Sequence, residues 1–241
     1  MTLRNPQRPG KLFKLAIISC ITFFALTAAA MVAYTGGTLQ NPRATHYRFF
    51  ENPFSDLGRT RLYDGRSNTV SMLLFIAAMA GGAVGLAAFF VGFSEVVRGS
   101  RAARMLGRAG AALGILAAVC FLGVAATPWD LLAHPHMHFV FAAFRLLLMA
   151  TGSAVLAIVA DPAMPRRLIV PFAIFLCMLA AYIILLTAGL SGGAASDAVL
   201  QSTGQKIIAY AAIAMVIVQS VLIQRIIPAP APVEENKSIV F

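Results

Sequence analysis

Apolar residues in this chain come in long unbroken runs separated by short polar stretches, with neither the strict alternation of a half-buried strand nor the single stripe of a surface helix. About 20 apolar residues, rising 1.5 Å each as a helix, cross a hydrocarbon layer about 30 Å thick. Six runs reach that length, at about Phe13–Tyr34, Thr69–Val97, Leu106–Ala126, His138–Ala160, Leu168–Leu190 and Ile207–Ile227. Backbone groups find no water inside lipid, so each run must bond internally as a helix. The expected fold is all-α, a polytopic membrane protein with six transmembrane helices in one bundle. Residues 1–12 form a basic N-terminus, 13–227 the transmembrane domain with a long first outer loop at 38–67, and 228–241 a Pro-rich tail.

Composition agrees with that pattern. Only 12% of the 241 residues are charged and 59% are hydrophobic, against about 25% charged in a soluble chain. The formal net charge of +10 raises nucleic acid as a partner, but the basic residues sit in short clusters between apolar runs, as membrane topology requires, and a nucleic-acid role is excluded. With the N-terminus inside, twelve Lys and Arg fall in cytoplasmic segments and six in outer ones. Both termini are therefore expected in the cytoplasm of a cell whose membrane holds the protein. The first run is about 22 residues long, longer than the 7–15 of a signal peptide, and reads as a retained helix. Cys20, Cys120 and Cys177 all fall within runs, without metal or redox spacing, and read as core residues.

The first outer loop is too long to be a plain connection. Its aromatic residues Tyr47, Phe49, Phe50, Phe54 and Tyr63 give it material to bury, so it is expected to be an ordered cap over the outer mouth of the bundle. Asn52-Pro53 marks a turn, Ser55 or Asp56 can cap a short helix and Gly58 can end it. Gly81 and Gly85 in the second span, and Gly110 and Gly114 in the third, are pairs that let helices approach closely. They suit packing between those two helices, or else a homo-oligomer face. Glu95 and Arg98 have the spacing of a local ion pair. The loop at Ser191–Lys206, with Gly192-Gly193, reads as flexible.

Chemistry concentrates between Thr127 and Arg145. His138 and Arg145 are seven apart and share a helix face. An arginine facing lipid at that depth costs roughly 2.5–3.5 kcal/mol, so the face is expected to turn into the bundle and meet an anion. Asp130, Glu51 and Asp56 are the candidates, with Asp56 preferred because the loop must fold down to bury its aromatics. Ser55, Asp56, Asp130, His138 and Arg145 then form a polar cluster, either a structural ion pair or a pocket for a lipid headgroup, small ligand or protein partner. A second reading uses metal. Asp130, His134 and His138 have four-residue spacing and His46 could add a nitrogen, a donor set for zinc and hydrolysis of a lipid ester or amide. Pro135 is expected to interrupt that spacing. This donor set, with Ser55 and Asp56, is loosely similar to the zinc-dependent membrane hydrolases of the alkaline ceramidase type. A third reading is an accessory subunit of a larger membrane complex. Without zinc no cofactor is expected.

The run Asn52-Pro53-Phe54-Ser55-Asp56-Leu57-Gly58 resembles the N-P-x-S-D-L-G signature of the domain-of-unknown-function 998 membrane family, and Pro128, Asp130 and His138 fit its pattern. The resemblance implies a six-helix bundle with its polar signature on the outer side, and it brings no agreed activity. A looser likeness is to six-span proteins of the Frag and DRAM type.

Overall fold

The computed structural model describes residues 8–188 and 195–226. Arg4, Gly192-Gly193 and the Pro-rich tail lie outside the described residues. Six α-helices follow one another: α1 Arg8–Ala33, α2 Thr69–Val96, α3 Arg101–Ala126, α4 Trp129–Ala160, α5 Ile169–Thr187 and α6 Ala195–Gln224. Each lies in a segment long and apolar enough to cross a membrane. Short 3-10 helices occupy Phe54–Gly58 and Arg166–Leu168. Among the described residues there is no strand, only an isolated bridge between Arg61 and Ser67 in the long loop.

Four helices, α1, α3, α4 and α6, start ahead of their apolar runs. α3 starts at Arg101 because Ser100 caps it, its Oγ accepting the N–H of Ala103 at 3.0 Å. α4 starts nine residues before His138, and α6 twelve before Ile207. The segment expected to be a flexible loop before Lys206 is therefore helical from Ala195 onward. Counting apolar residues measures the hydrocarbon crossing alone, and a helix continues into the interface wherever its ends find partners. Proline acts in α4 as expected, but the break falls earlier. Leu132 is non-helical (φ −131°, ψ 49°), next to the carbonyl four residues before Pro135 that the ring would strike.

Each helix packs on its chain neighbours, and α6 returns to α1, closing the bundle. Small residues make the close contacts. A Cβ on Gly85 would meet Ser19 of α1 at 2.7 Å, and one on Gly110 would meet the Ala150 carbonyl of α4 at 3.3 Å. A Cβ on Gly114 would collide with Phe90 of α2, and Gly81 also faces α1. The glycine contacts within the chain thus run to α1, α2 and α4, and only Gly114 serves the expected packing between α2 and α3. Of the cysteines, Cys20 is buried while Cys177 is exposed, which corrects its expected core position.

The end of the bundle away from the long loop is filled with aromatic rings. Phe13 meets Phe89 at 6.1 Å, and Phe172 lies 6.1 Å from Phe89 and 5.7 Å from Phe93. Two acids fasten that end. Asp161 accepts the N–H groups of Arg98 (3.1 Å), Gly99 (2.8 Å) and Ala163 (3.0 Å), tying the α2–α3 turn to the α4–α5 turn. Glu95 meets Arg8 Nε at 3.3 Å, and Arg98 donates through Nε to the Glu95 carbonyl instead of forming the expected local pair.

Candidate functional site: a capped apolar chamber

The loop from Tyr34 to Asn68 is ordered throughout and closes one end of the bundle. Asn52, 0% exposed, holds its centre. Its Oδ1 accepts the Arg48 N–H at 2.8 Å, while Nδ2 donates to the Gly37 carbonyl and to Asp56 Oδ2, each at 2.9 Å. The Asn52 carbonyl accepts Lys206 Nζ at 2.6 Å and the Tyr47 hydroxyl at 3.2 Å. Lys206 is itself fully buried. It donates also to Ser202 O (2.8 Å) and lies 5.1 Å from the Phe49 ring centroid. The lysine expected in a flexible loop is in fact the bolt that fastens α6 to the cap.

The following 3-10 helix carries the rest. Pro53 occupies its N-cap, so neither Ser55 nor Asp56 caps it. Phe54 wedges between Phe23, Phe75 and Tyr210, with centroids 6.0, 5.7 and 5.9 Å away, and its N–H is accepted by Gln205 Oε1 at 2.8 Å. Leu57 offers its carbonyl to Asn68 Nδ2 and Ser71 Oγ, each at 3.2 Å. Gly58 is required by closeness rather than by turn geometry, since a Cβ there would meet Phe75 at 2.7 Å.

Asp56 is 0% exposed. Besides Asn52 it accepts the Tyr63 hydroxyl (3.2 Å), and Arg59 stands 4.0 Å away. Burial raises its carboxyl, the bonds from Asn52 and Tyr63 and the charge of Arg59 oppose that, and the result is about 6. The same burial, with Asp56 beside them, raises the Tyr34 and Tyr63 phenols well above their ordinary range. Asp130 anchors the far side of the loop: its carboxylate accepts the Thr60 hydroxyl (2.6 Å), the Thr60 N–H (3.0 Å) and the Arg61 N–H (3.1 Å).

Beneath the cap lies a cavity of about 110 Å³. Its walls are hydrocarbon from five helices, among them Met79 and Leu86 of α2, Phe144 and Leu147 of α4, and Ala212 and Val216 of α6. Phe54 and Ser55 roof it, and Ser55 and Gln205 are the polar residues at its edge apart from the thiol of Cys20. The chamber thus lies between the cap and the phenylalanine plug.

The sequence-predicted cluster separates into three places. Ser55 lines the chamber. Asp56 and Asp130 are held by hydrogen bonds within the cap and between the cap and α4. His138 and Arg145 are exposed on the outside of the bundle, and the inward stripe of α4 is Val140, Phe144, Leu147 and Thr151. The expected inward turn of Arg145 and its pairing with Asp56 are therefore corrected. Asp56 lies beside Arg59, Glu51 pairs with Arg48 at 2.8 Å, and the Arg145 guanidinium sits 5.2 Å over the Phe141 ring. Loop ions found local partners because a neighbour three residues away costs far less ordering than one across the bundle.

The four zinc candidates do not converge. His46 and His134 are exposed, His138 bonds through Nδ1 to the His134 carbonyl at 2.8 Å, and both Asp130 oxygens face loop donors. Among the described residues no group of three or more His, Cys, Asp or Glu side chains could hold a metal. The buried histidine is His136, whose Nδ1 lies 2.7 Å from the Thr127 carbonyl and whose ring packs on Trp129.

These features define a multi-pass helical membrane protein with a capped internal chamber. No family model, curated protein or solved structure matches the chain.

Proposed function

We propose that the chain binds the apolar tail of a membrane amphiphile in the chamber, with the polar end at Ser55 and Gln205 beneath the cap on the outer face of a cell membrane. The observation that carries this reading is the lining. The walls are hydrocarbon except for Cys20, and the roof edge presents the Ser55 hydroxyl and the Gln205 side chain. An apolar void left empty forfeits the contacts its lining atoms would otherwise make, and a site without polar partners does not hold water. Lipid tails are the abundant material that can fill it. The cap supports the reading, since Asn52, Lys206 and Asp130 together fix a roof that the six helices alone do not need. The resemblance of the roof run Asn52–Gly58 to the domain-of-unknown-function 998 signature implies only that the roof lies on the outer side, and says nothing of what it binds.

The test is photolabelling in vesicles of phosphatidylcholine bearing a diazirine near the middle of one acyl chain. Label is expected on α2 between Met79 and Leu86 and on α6 between Ala209 and Val216. Ala212→Phe, which fills the space from the wall, should cut that label about tenfold at unchanged labelling of the bundle exterior. Label confined to the exterior, or unaffected by Ala212→Phe, would overturn the proposal.

A further inference from the structure

Among the described residues Arg145 is the charged residue nearest the midpoint of its helix, and unlike the buried Lys206 of α6 it is exposed. It lies sixteen residues from Trp129 and fifteen from Ala160, the two ends of α4, so it stands about 22–24 Å from each. An arginine side chain near a helix end escapes to the interface, but from the centre of a hydrocarbon layer about 30 Å thick the interface is about 15 Å away, beyond the reach of the side chain. The side chain is exposed, and its contact is the face of Phe141. Among the described residues no carboxylate lies within ion-pair distance of it.

The surface around it has the spacing of a docking seam. His138, Ala142, Arg145, Met149, Gly152 and Leu156 follow one another at intervals of four, three, four, three and four, and none is buried. That interval is what keeps one helix face turned to a partner helix. Met149 and Leu156 are 49% and 55% exposed, and a Cβ added to Gly152 would meet nothing within 4 Å. The seam therefore offers two small positions, Ala142 and Gly152, among larger ones, with a cation at its centre.

The charge decides who can dock. All nine acids of the chain lie in loops, in the tail or at helix ends, at 51, 56, 64, 95, 130, 161, 197, 234 and 235. A second copy packed symmetrically on this face would set Arg145 against Arg145, with no carboxylate of its own at that depth. We infer that the α4 seam binds a transmembrane helix of a different protein, one carrying an Asp or Glu near the middle of its span. This inference is independent of the chamber, which lies on the opposite face of α4.

The test places a photoreactive benzophenone amino acid at Met149 in the full chain, expressed in its native membranes. The expected adduct joins a peptide of another protein that holds an acidic residue inside an apolar run of about 20 residues. Arg145→Leu should reduce the adduct at least tenfold, and exchanging the two charges between the partners should restore it. Gly152→Leu, which meets open space and so leaves the fold intact, should block the adduct as well. Adducts with lipid alone, with a second copy, or with a partner lacking a mid-span acid would overturn the inference. So would an adduct that survives both substitutions.

Discussion

Asp56→Asn should remove a pH dependence of stability that the buried carboxyl builds into the cap. The ordinary carboxyl value is 3.8 and in the folded chain it is about 6. Desolvation is the larger cause, and the bonds from Asn52 and Tyr63, Arg59 at 4.0 Å and the charge of Lys206 offset only part of it. The folded state thus holds its proton over a range where the unfolded state has lost it. Stability gained from the protonated form is present below about 3.8, falls as pH rises to about 6, and is level above that. The gap of about 2.2 corresponds to ~3 kcal/mol. Asparagine keeps the size of the side chain and can accept the Tyr63 hydroxyl, but its Nδ2 then faces Asn52 Nδ2, a loss independent of pH that enters the comparison as a constant offset. The assay is the unfolding free energy of protein in dodecyl maltoside micelles, titrated with sodium dodecyl sulfate at pH 4, 5, 6 and 7. Taking wild type minus variant cancels the other carboxylates, including Asp64, which Arg66 holds below its ordinary value. The difference should shift in favour of the variant by about 2.4 kcal/mol between pH 4 and 7, short of the full gap because at pH 4 the unfolded carboxyl is already more than half ionised. Parallel curves, or a difference that moves the other way, would refute the reasoning that desolvation dominates at Asp56.

Two further outcomes follow from acids that accept loop amides. Asp130→Ala removes the acceptor of the Thr60 hydroxyl and of the Thr60 and Arg61 N–H groups. It should weaken that anchor by about 2 kcal/mol, read as roughly 30-fold faster amide exchange at those two residues with the six helices unaffected. Gly99→Ala drives a Cβ into the Asp161 carboxylate and should destabilise by about 2–3 kcal/mol in the same detergent titration. Asp161→Ala should cost a similar amount, and the double variant clearly less than the sum, because both break one set of bonds.

The six helices were legible because the length of an apolar run is fixed by the thickness of lipid, whatever else the chain does. The ordered loop was legible for a similar reason, since its aromatic residues had to be buried somewhere. What the sequence concealed depends on which way a helix turns. His138 and Arg145 do share a face, as their spacing requires, but the phase of α4 is set by Val140, Phe144 and Leu147 packing on α3 and α5. A single arginine does not outweigh a stripe of large apolar residues, and it is carried to the outside. The role of Lys206 is hidden in the sequence because the apolar run begins only at Ile207 while the helix begins at Ala195. Within a helix from Ala195, Ser202, Lys206 and Tyr210 fall at intervals of four, which would have put the lysine on the face that meets the loop. Of His134, His136 and His138 the buried one is His136, which lies beyond the bend at Leu132, a break that the run of apolar residues does not reveal.

The signature Asn52–Gly58 can be understood residue by residue as one device with two faces. Asn52, Asp56 and Gly58 serve the cap: the first two close its hydrogen bonds, and the third lets it lie against Phe75. Phe54 and Ser55 serve the chamber, as wedge and as polar edge. The two functions cannot be moved independently, because all five residues sit on a single 3-10 helix and its preceding turn. Lifting the roof to admit a tail would withdraw Phe54 from Phe23, Phe75 and Tyr210 and break its N–H bond to Gln205 in the same motion. It would also carry Asn52 away from Lys206, leaving a buried ammonium short of an acceptor, which costs more than a neutral bond lost. Access through the cap is therefore strongly opposed, and a tail is expected to enter between helices from the lipid. Lys206→Met, which keeps an unbranched side chain one atom shorter and removes the charge, separates the two routes. If tails pass through the cap, chamber labelling in vesicles should become faster in this variant; if they pass between helices, its rate should be unchanged.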